Sequence, residues 1–313
     1  MSLPLLPRPA PGEVLVVATC YEEGAARWGG LVEAAGGRRE GGAVVLAGGG
    51  VRLRPAEDVR WDFLHGGNVP ALLPGGAPVP PVAVLADIPV VHGGDGPLLV
   101  DLAVIPGRGV RVPAARLGGI LARLLDGTLA FDDLVHGMDV CGMYQGDAGR
   151  PAFPVSTAVS PRPFPALPGG EEALLVRTCF DDEEGWRALL DELGGADADG
   201  RVGADLDPES IDTDHYPLTA LVVDDRAFEG LTPGHVPALV PPGDHTPLVA
   251  LACARTFAEP GRPLTAVDLH DTPGHAAVLP CDMVGSLACN LEIANMDFHD
   301  FVLAEGAEPW WEE

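Results

Sequence analysis

The sequence predicts an α/β protein made of two tandem copies of one module, each a mixed, largely parallel sheet flanked by helices, the pair packed as a pseudo-dimer. Three observations predict it. Short apolar runs, VLVVATCY (14 to 21) and ALLVRTCF (173 to 180), open both halves and end alike in Thr-Cys-aromatic. Trp28, Leu31, Val32 and Ala35 follow the first run at helical spacing, Trp186, Leu189, Leu190 and Leu193 follow the second, and Gly-Gly closes both. Farther on, NVPALLP (68 to 74) matches HVPALVP (235 to 241), and PLLVDL (97 to 102) matches PLTAVDL (263 to 269).

The elements follow in chain order. An apolar strand without alternation suits a parallel sheet covered on both faces, so the two opening runs are first strands. The NVPALLP and HVPALVP segments predict a second helix, and VAVLAD (82 to 87) and LVALAC (248 to 253) a second buried strand. Asp101 falls opposite Asp268, and each run continues through a Pro-Gly turn into a strand ending at Pro113 or Pro280, which is a hairpin. Two helices then close each copy, with Leu117, Ile120, Leu121 and Leu124 against Val284, Leu287, Ala288 and Leu291, and Phe131, Asp133 and Val135 against Phe298, Asp300 and Val302. These matches bound a degenerate first module at 13–135 and a better-preserved second at 172–305. The intervening 136–171 holds PAFPVSTAVSPRPFPALPGG and reads as an extended surface linker, because proline donates no backbone hydrogen bond.

Composition removes whole classes of function. The net charge is −27 and the 19 basic residues are all Arg, so a polyanionic nucleic acid is repelled while a basic protein, a cation or a polyamine is attracted. Without Lys there is no GxxxxGK loop, no Schiff-base chemistry and no Ser-x-x-Lys nucleophile. G-x-S-x-G, H-E-x-x-H, C-x-x-C and a G-x-G-x-x-G after either first strand are also missing, and no cofactor is expected. The start MSLPLLPRPAPGE has neither the basic nor the continuous apolar region of a secretory signal, and no run of eighteen uncharged apolar residues occurs. The expected setting is therefore the cytosol, where the six cysteines act as small buried hydrophobes.

The second copy carries LLVRT (174 to 178), Trp186 with Leu189, DDRAFEGLTP (224 to 233), VDL (267 to 269) and NLEIANMDFHDF (290 to 301). In these it resembles a family of actinobacterial proteins that carry a domain of unknown function, whose closing signature is N-L-x-I-A-N-M-D-F-x-x-F. The resemblance implies a domain boundary and no mechanism. The family has an acidic residue after RT where this chain has Cys179, and the first copy has Gly127, Thr128 and Ala130 opposite Ala294, Asn295 and Asp297.

Candidate site residues fall in three groups. Carboxyl ends of parallel strands are where open α/β sheets bind ligands, and in the second copy they hold Cys179, Asp181, Asp224, Asp225 and Cys253. Their structural reading is a capping box of Asp181 with Glu184 and cysteines packed at strand ends. Asn295 and Asp297, which the resemblance puts in the signature, either bind a ligand or close one helix and cap the next. The segment DADGRVGADLDPESIDTD (197 to 214) offers Asp205, Asp207, Asp212 and Asp214 to a basic partner; it lacks an EF-hand's bidentate position, and no metal site is assigned. HGG at His65 and at His92 reads as two glycine turns. The expectation is an acidic, non-catalytic partner-binding protein of immunity or assembly type, to which a loose similarity of the closing helix to SUKH-type immunity proteins adds a little. The alternative is an enzyme or a small-ligand or metal-binding module with its site at the strand ends of the second copy.

Overall fold

The computed structural model describes residues 3–75, 80–93, 96–139, 141–146, 158–203, 218–293 and 295–302. The first copy comprises β1 (Glu13–Ala18), a hairpin of β2 (Tyr21–Glu22) and β3 (Ala25–Ala26), α1 (Gly29–Ala34), β4 (Arg38–Glu40), β5 (Ala43–Val45), β6 (Arg52–Ala56), β7 (Val82–Ala86), β8 (Leu98–Asp101), β9 (Gly109–Arg111), α2 (Leu117–Asp126) and α3 (Phe131–His136). The second has β10 (Ala173–Arg177), α4 (Glu183–Glu192), β11 (Arg201–Val202), β12 (Ala220–Val223), β13 (Val249–Ala252), α5 (Ala254–Ala258), β14 (Leu264–Val267), β15 (Ala276–Leu279), α6 (Cys281–Glu292) and α7 (Phe298–Val302). Their sheets run β4-β5-β6-β1-β7-β8-β9 and β11-β12-β10-β13-β14-β15, so the order is shared and the first copy adds one edge strand. In both, three parallel strands at the centre continue into an antiparallel hairpin.

Strand alternation explains why the central runs are apolar throughout. Val14 and Val16 pack with Trp28, Leu31, Leu117 and Leu121 on the helical face, while Leu15 and Val17 pack with Trp61, Leu64, Val69 and Leu72 on the other. Leu175 similarly meets Trp186, Leu189 and Leu287, and Leu174 and Val176 meet Phe228, Leu231 and Val236. Each sheet is therefore covered by helices on one side and by short turns on the other.

Those turns differ from expectation. NVPALLP and HVPALVP form 3₁₀ segments, Gly66–Leu72 in the first copy and Pro233–His235 with Pro237–Leu239 in the second. Pro70, Pro233 and Pro237 remove amide donors within segments too short for a regular helix. The same residues join the copies, since Gly66–Leu72 lies against Pro237–Leu239, its own counterpart, as equivalent surfaces meet in a two-fold dimer. Gly67 is indispensable there: a Cβ would lie 2.6 Å from Pro237. Asn68 Nδ2 donates to the Val240 carbonyl at 3.0 Å, and the Gly109 amide donates to Pro273 O at 2.7 Å.

The expected linker is only partly one. Beyond His136 the chain turns back on its own sheet, with Tyr144 buried and Met143 bridged to Arg111. The cap of α4 also shifts by one residue: Asp182, not Asp181, accepts the Gly185 amide at 2.7 Å, and Asp181 is exposed.

Candidate functional site

Two devices recur in both copies and set the frame of the site. Asp101 is fully buried at the end of β8, and its carboxylate accepts the amides of Ala103, Val104 and Ile105 at 2.9, 3.0 and 3.0 Å. Asp268, just after β14, accepts those of His270, Asp271 and Thr272 at 2.8, 3.2 and 2.7 Å. A carboxylate is used because three converging amides in a buried loop need an acceptor of that capacity. The other device fixes the first helix: Trp28 Nε1 donates to Glu57 at 2.6 Å, and Trp186 Nε1 to Asp224 at 3.0 Å.

The loop that Asp268 organises carries His270 and Asp271 across to the first copy. There they roof a cleft of about 300 Å³ whose floor is the carboxyl end of the first sheet, with Thr19, Phe63, His65, Asp87 and Ile88; Asp297 stands at its side. The floor comes from one copy and the polar roof from the other. At the equivalent places in the opposite copy stand Ala103, Val104 and Ala130 for His270, Asp271 and Asp297, and Gly230, Thr232 and Cys253 for Phe63, His65 and Asp87. The pseudo-symmetry of the fold is thus broken in the chemistry.

The hydrogen bonds assign the protons of the two imidazoles. His270 Nε2 lies 3.3 Å from the Thr246 carbonyl, which only accepts, so that nitrogen carries the proton. His270 Nδ1 is then an acceptor and takes the proton of His65 Nδ1 at 3.1 Å, which leaves His65 Nε2 unprotonated. Burial, then the neighbouring His270 and His245, push the His65 pKa down to about 3, and burial also lowers that of His270. Asp271 is pushed up to about 6 by burial and by Asp268 and Asp297, against Arg111 and the Phe298 amide. Asp87 is held by Arg111, whose Nη2 and Nη1 reach its two oxygens at 2.8 and 3.2 Å. Apart from the Thr19 hydroxyl, the polar groups the cleft presents are a neutral imidazole and carboxylates, all acceptors, beside the apolar Phe63 and Ile88.

The sequence-predicted residues are dispersed. Asp224 is shared between Trp186 and Arg177 Nη1, Asp225 caps a 3₁₀ turn by accepting the Ala227 amide, and the Cys253 amide donates to Thr256 Oγ1 at the start of α5. The Cys179 carbonyl accepts from Arg177 Nε at 3.1 Å. Each is used locally, and none lines the cleft. Asn295 donates to Asn290 Oδ1 at 2.7 Å, securing the end of α6. Asp297 does line the cleft, and its amide is taken by Asp300 in the cap of α7. Ligand atoms of Asp297, His299 and Asp300 lie within 4.8 Å of one another, on a largely exposed turn already committed to that cap. Asp205, Asp207, Asp212 and Asp214 lie outside the described residues. His65, His270 and Asp271 were missed; the sole hint was HGG before NVPALLP, where a histidine precedes the glycines of the joint.

Comparison with known families finds the model described as Domain of unknown function (DUF6924) matching residues 13–147 and again residues 172–310. No curated protein and no solved structure matches the chain. Among the described residues, no helix is long and apolar enough to cross a membrane.

Proposed function

We propose, for a chain that belongs to the DUF6924 family through two copies of its domain, that it is a non-catalytic binding module for a small organic cation held in the cleft between the copies. The carrying observation is a cleft of about 300 Å³ whose polar lining, the Thr19 hydroxyl apart, consists of acceptors drawn from both copies. A lining of acceptors is satisfied by a ligand of donors, and carboxylates among them favour a positive one. The net charge of −27 works in the same direction by raising the local concentration of cations. This reading shifts the strand-end site to the floor of the first copy and the roof of the second. The same field supports a second reading, a basic protein partner drawn to the acidic segment 204–214. An acidic, Lys-free composition and the closing NLEIANMDFHDF support an actinobacterial host and a cytosolic setting.

Titration of the full chain with methylammonium chloride, followed by histidine and amide NMR resonances, tests the cleft, with sodium acetate as the anionic control. Methylammonium is expected to shift His65 and His270, with affinity falling as Asp271 takes up a proton below about pH 6. Perturbation of those resonances by acetate and not by methylammonium would overturn the reading.

A further inference from the structure

We infer that Phe63 determines which cation the cleft accepts, presenting its ring face to an alkylated ammonium group; the inference rests on the cleft reading above. Phe63 sits at φ 60, a left-handed conformation that a bulky side chain adopts only when the surroundings impose it. The fold does impose it, for the Phe63 amide donates to Thr19 O at 3.0 Å and, in the second copy, the Gly230 amide donates to Thr178 O at 2.9 Å. At that equivalent position the second copy has glycine at φ 77, the residue that meets the backbone demand without strain. The first copy instead places a benzyl group there, and packing does not account for it: Phe63 is 62% exposed and belongs to none of the buried clusters. Among the described residues, the other non-glycine residues with positive φ, Glu23 and Arg262, are polar and lie in turns beside Gly24 and Gly261.

What an exposed aromatic ring adds to this cleft is a negative π face in the same lining as the carboxylates of Asp271 and Asp297. An ammonium that carries methyl groups satisfies both, its charge facing Asp271 and Asp297 and its alkyl surface covering Phe63 and Ile88. Plain ammonium has the charge and lacks the surface, so it is discriminated against. Phe63 is thus a strained position retained on the side where the polar roof also lies, and relaxed to glycine where the roof is Ala103 and Val104.

The test uses the full chain and two probes, methylammonium and trimethylammonium, with Phe63→Gly, Phe63→Leu, Phe63→Trp and Asp271→Asn. The wild type is expected to prefer trimethylammonium, which keeps one N–H donor beside its methyl surface. Phe63→Gly and Phe63→Leu are expected to weaken trimethylammonium binding about tenfold and to leave methylammonium nearly unaffected, while Phe63→Trp retains the preference. Phe63→Gly is also expected to raise the urea midpoint, which separates lost recognition from lost folding. Asp271→Asn is expected to weaken both probes. Unchanged trimethylammonium affinity in Phe63→Gly overturns the role of Phe63 and leaves the cleft standing, whereas failure of both probes to bind the wild type overturns both.

Discussion

Lowering the pH from 7.5 to 5 is expected to destabilise this fold by roughly a few kcal/mol, lost mainly where the two copies join. Burial holds His65 and His275 neutral down to about pH 3, against an ordinary value of 6.5, with His270 and His245 facing the first and Arg111 the second. Because both values are depressed, the stabilisation is complete above pH 6.5: the unfolded chain protonates below it and the folded chain does not. Stability is then lost as pH falls toward 3. At pH 5 the loss is about 2 kcal/mol for each ring, or about 4 for the pair. Asp271 acts oppositely, since its value is raised from 3.8 to about 6 and the folded chain binds that proton more tightly. It returns part of that loss over the same interval, while His270 and His235, also depressed chiefly by burial, add to it; a net loss of roughly a few kcal/mol is substantial for a domain stable by about 5 to 15 kcal/mol. Urea unfolding at closely spaced pH values, read by tryptophan fluorescence, measures this directly. His65→Asn should remove about 2 kcal/mol of the pH-dependent loss, and Asp271→Asn should deepen it. A free energy flat between pH 7.5 and 5, or a His65→Asn profile parallel to the wild type, would refute the reasoning.

Trp186→Ala should destabilise the second copy by about 3 to 5 kcal/mol, and Trp186→Phe by less, about 2, because phenyl refills only part of the buried indole space and the bond to the part-exposed Asp224 is also lost; denaturant midpoints distinguish the two. Asp101→Asn should cost more than Asp268→Asn, by calorimetry, since Arg108 Nε pairs with Asp101 at 3.0 Å in a buried setting and the second copy has His275 in its place. If the acidic segment recruits a basic partner, changing Asp205, Asp207, Asp212 and Asp214 to Asn should weaken that association, flatten its salt dependence and leave the unfolding midpoint in place. A partner whose affinity ignores both salt and these substitutions would remove the electrostatic basis of that reading.

Local pattern carried the fold a long way. Trp28 and Trp186, Asp101 and Asp268, and Phe131 and Phe298 were in register in the sequence, and the shared sheet order follows from the strands that those residues frame. The 3₁₀ turns escaped because apolar spacing dominates the reading of NVPALLP, whereas its proline decides the backbone. The cleft escaped for a different reason. His65 and His270 are 205 residues apart and meet only after the copies dock, so no spacing within either copy announces them. Residues that looked chemical, Asp224 and Asp225 above all, proved to be engaged in holding a tryptophan and starting a turn.

A cleft with its floor in one copy and its roof in the other has a consequence for how such a chain can change. A dimer of identical single modules owns two equivalent clefts, and every substitution alters both. Fusion ends that coupling: one half is free to discard its roof residues, as at Ala103 and Val104, while the other discards its floor residues, as at Gly230 and Cys253. Each loss is harmless alone because the remaining cleft never used the discarded part. Together they act as a ratchet. After both have occurred, deletion of either half removes one wall of the cleft that keeps both parts, so a single copy no longer carries it.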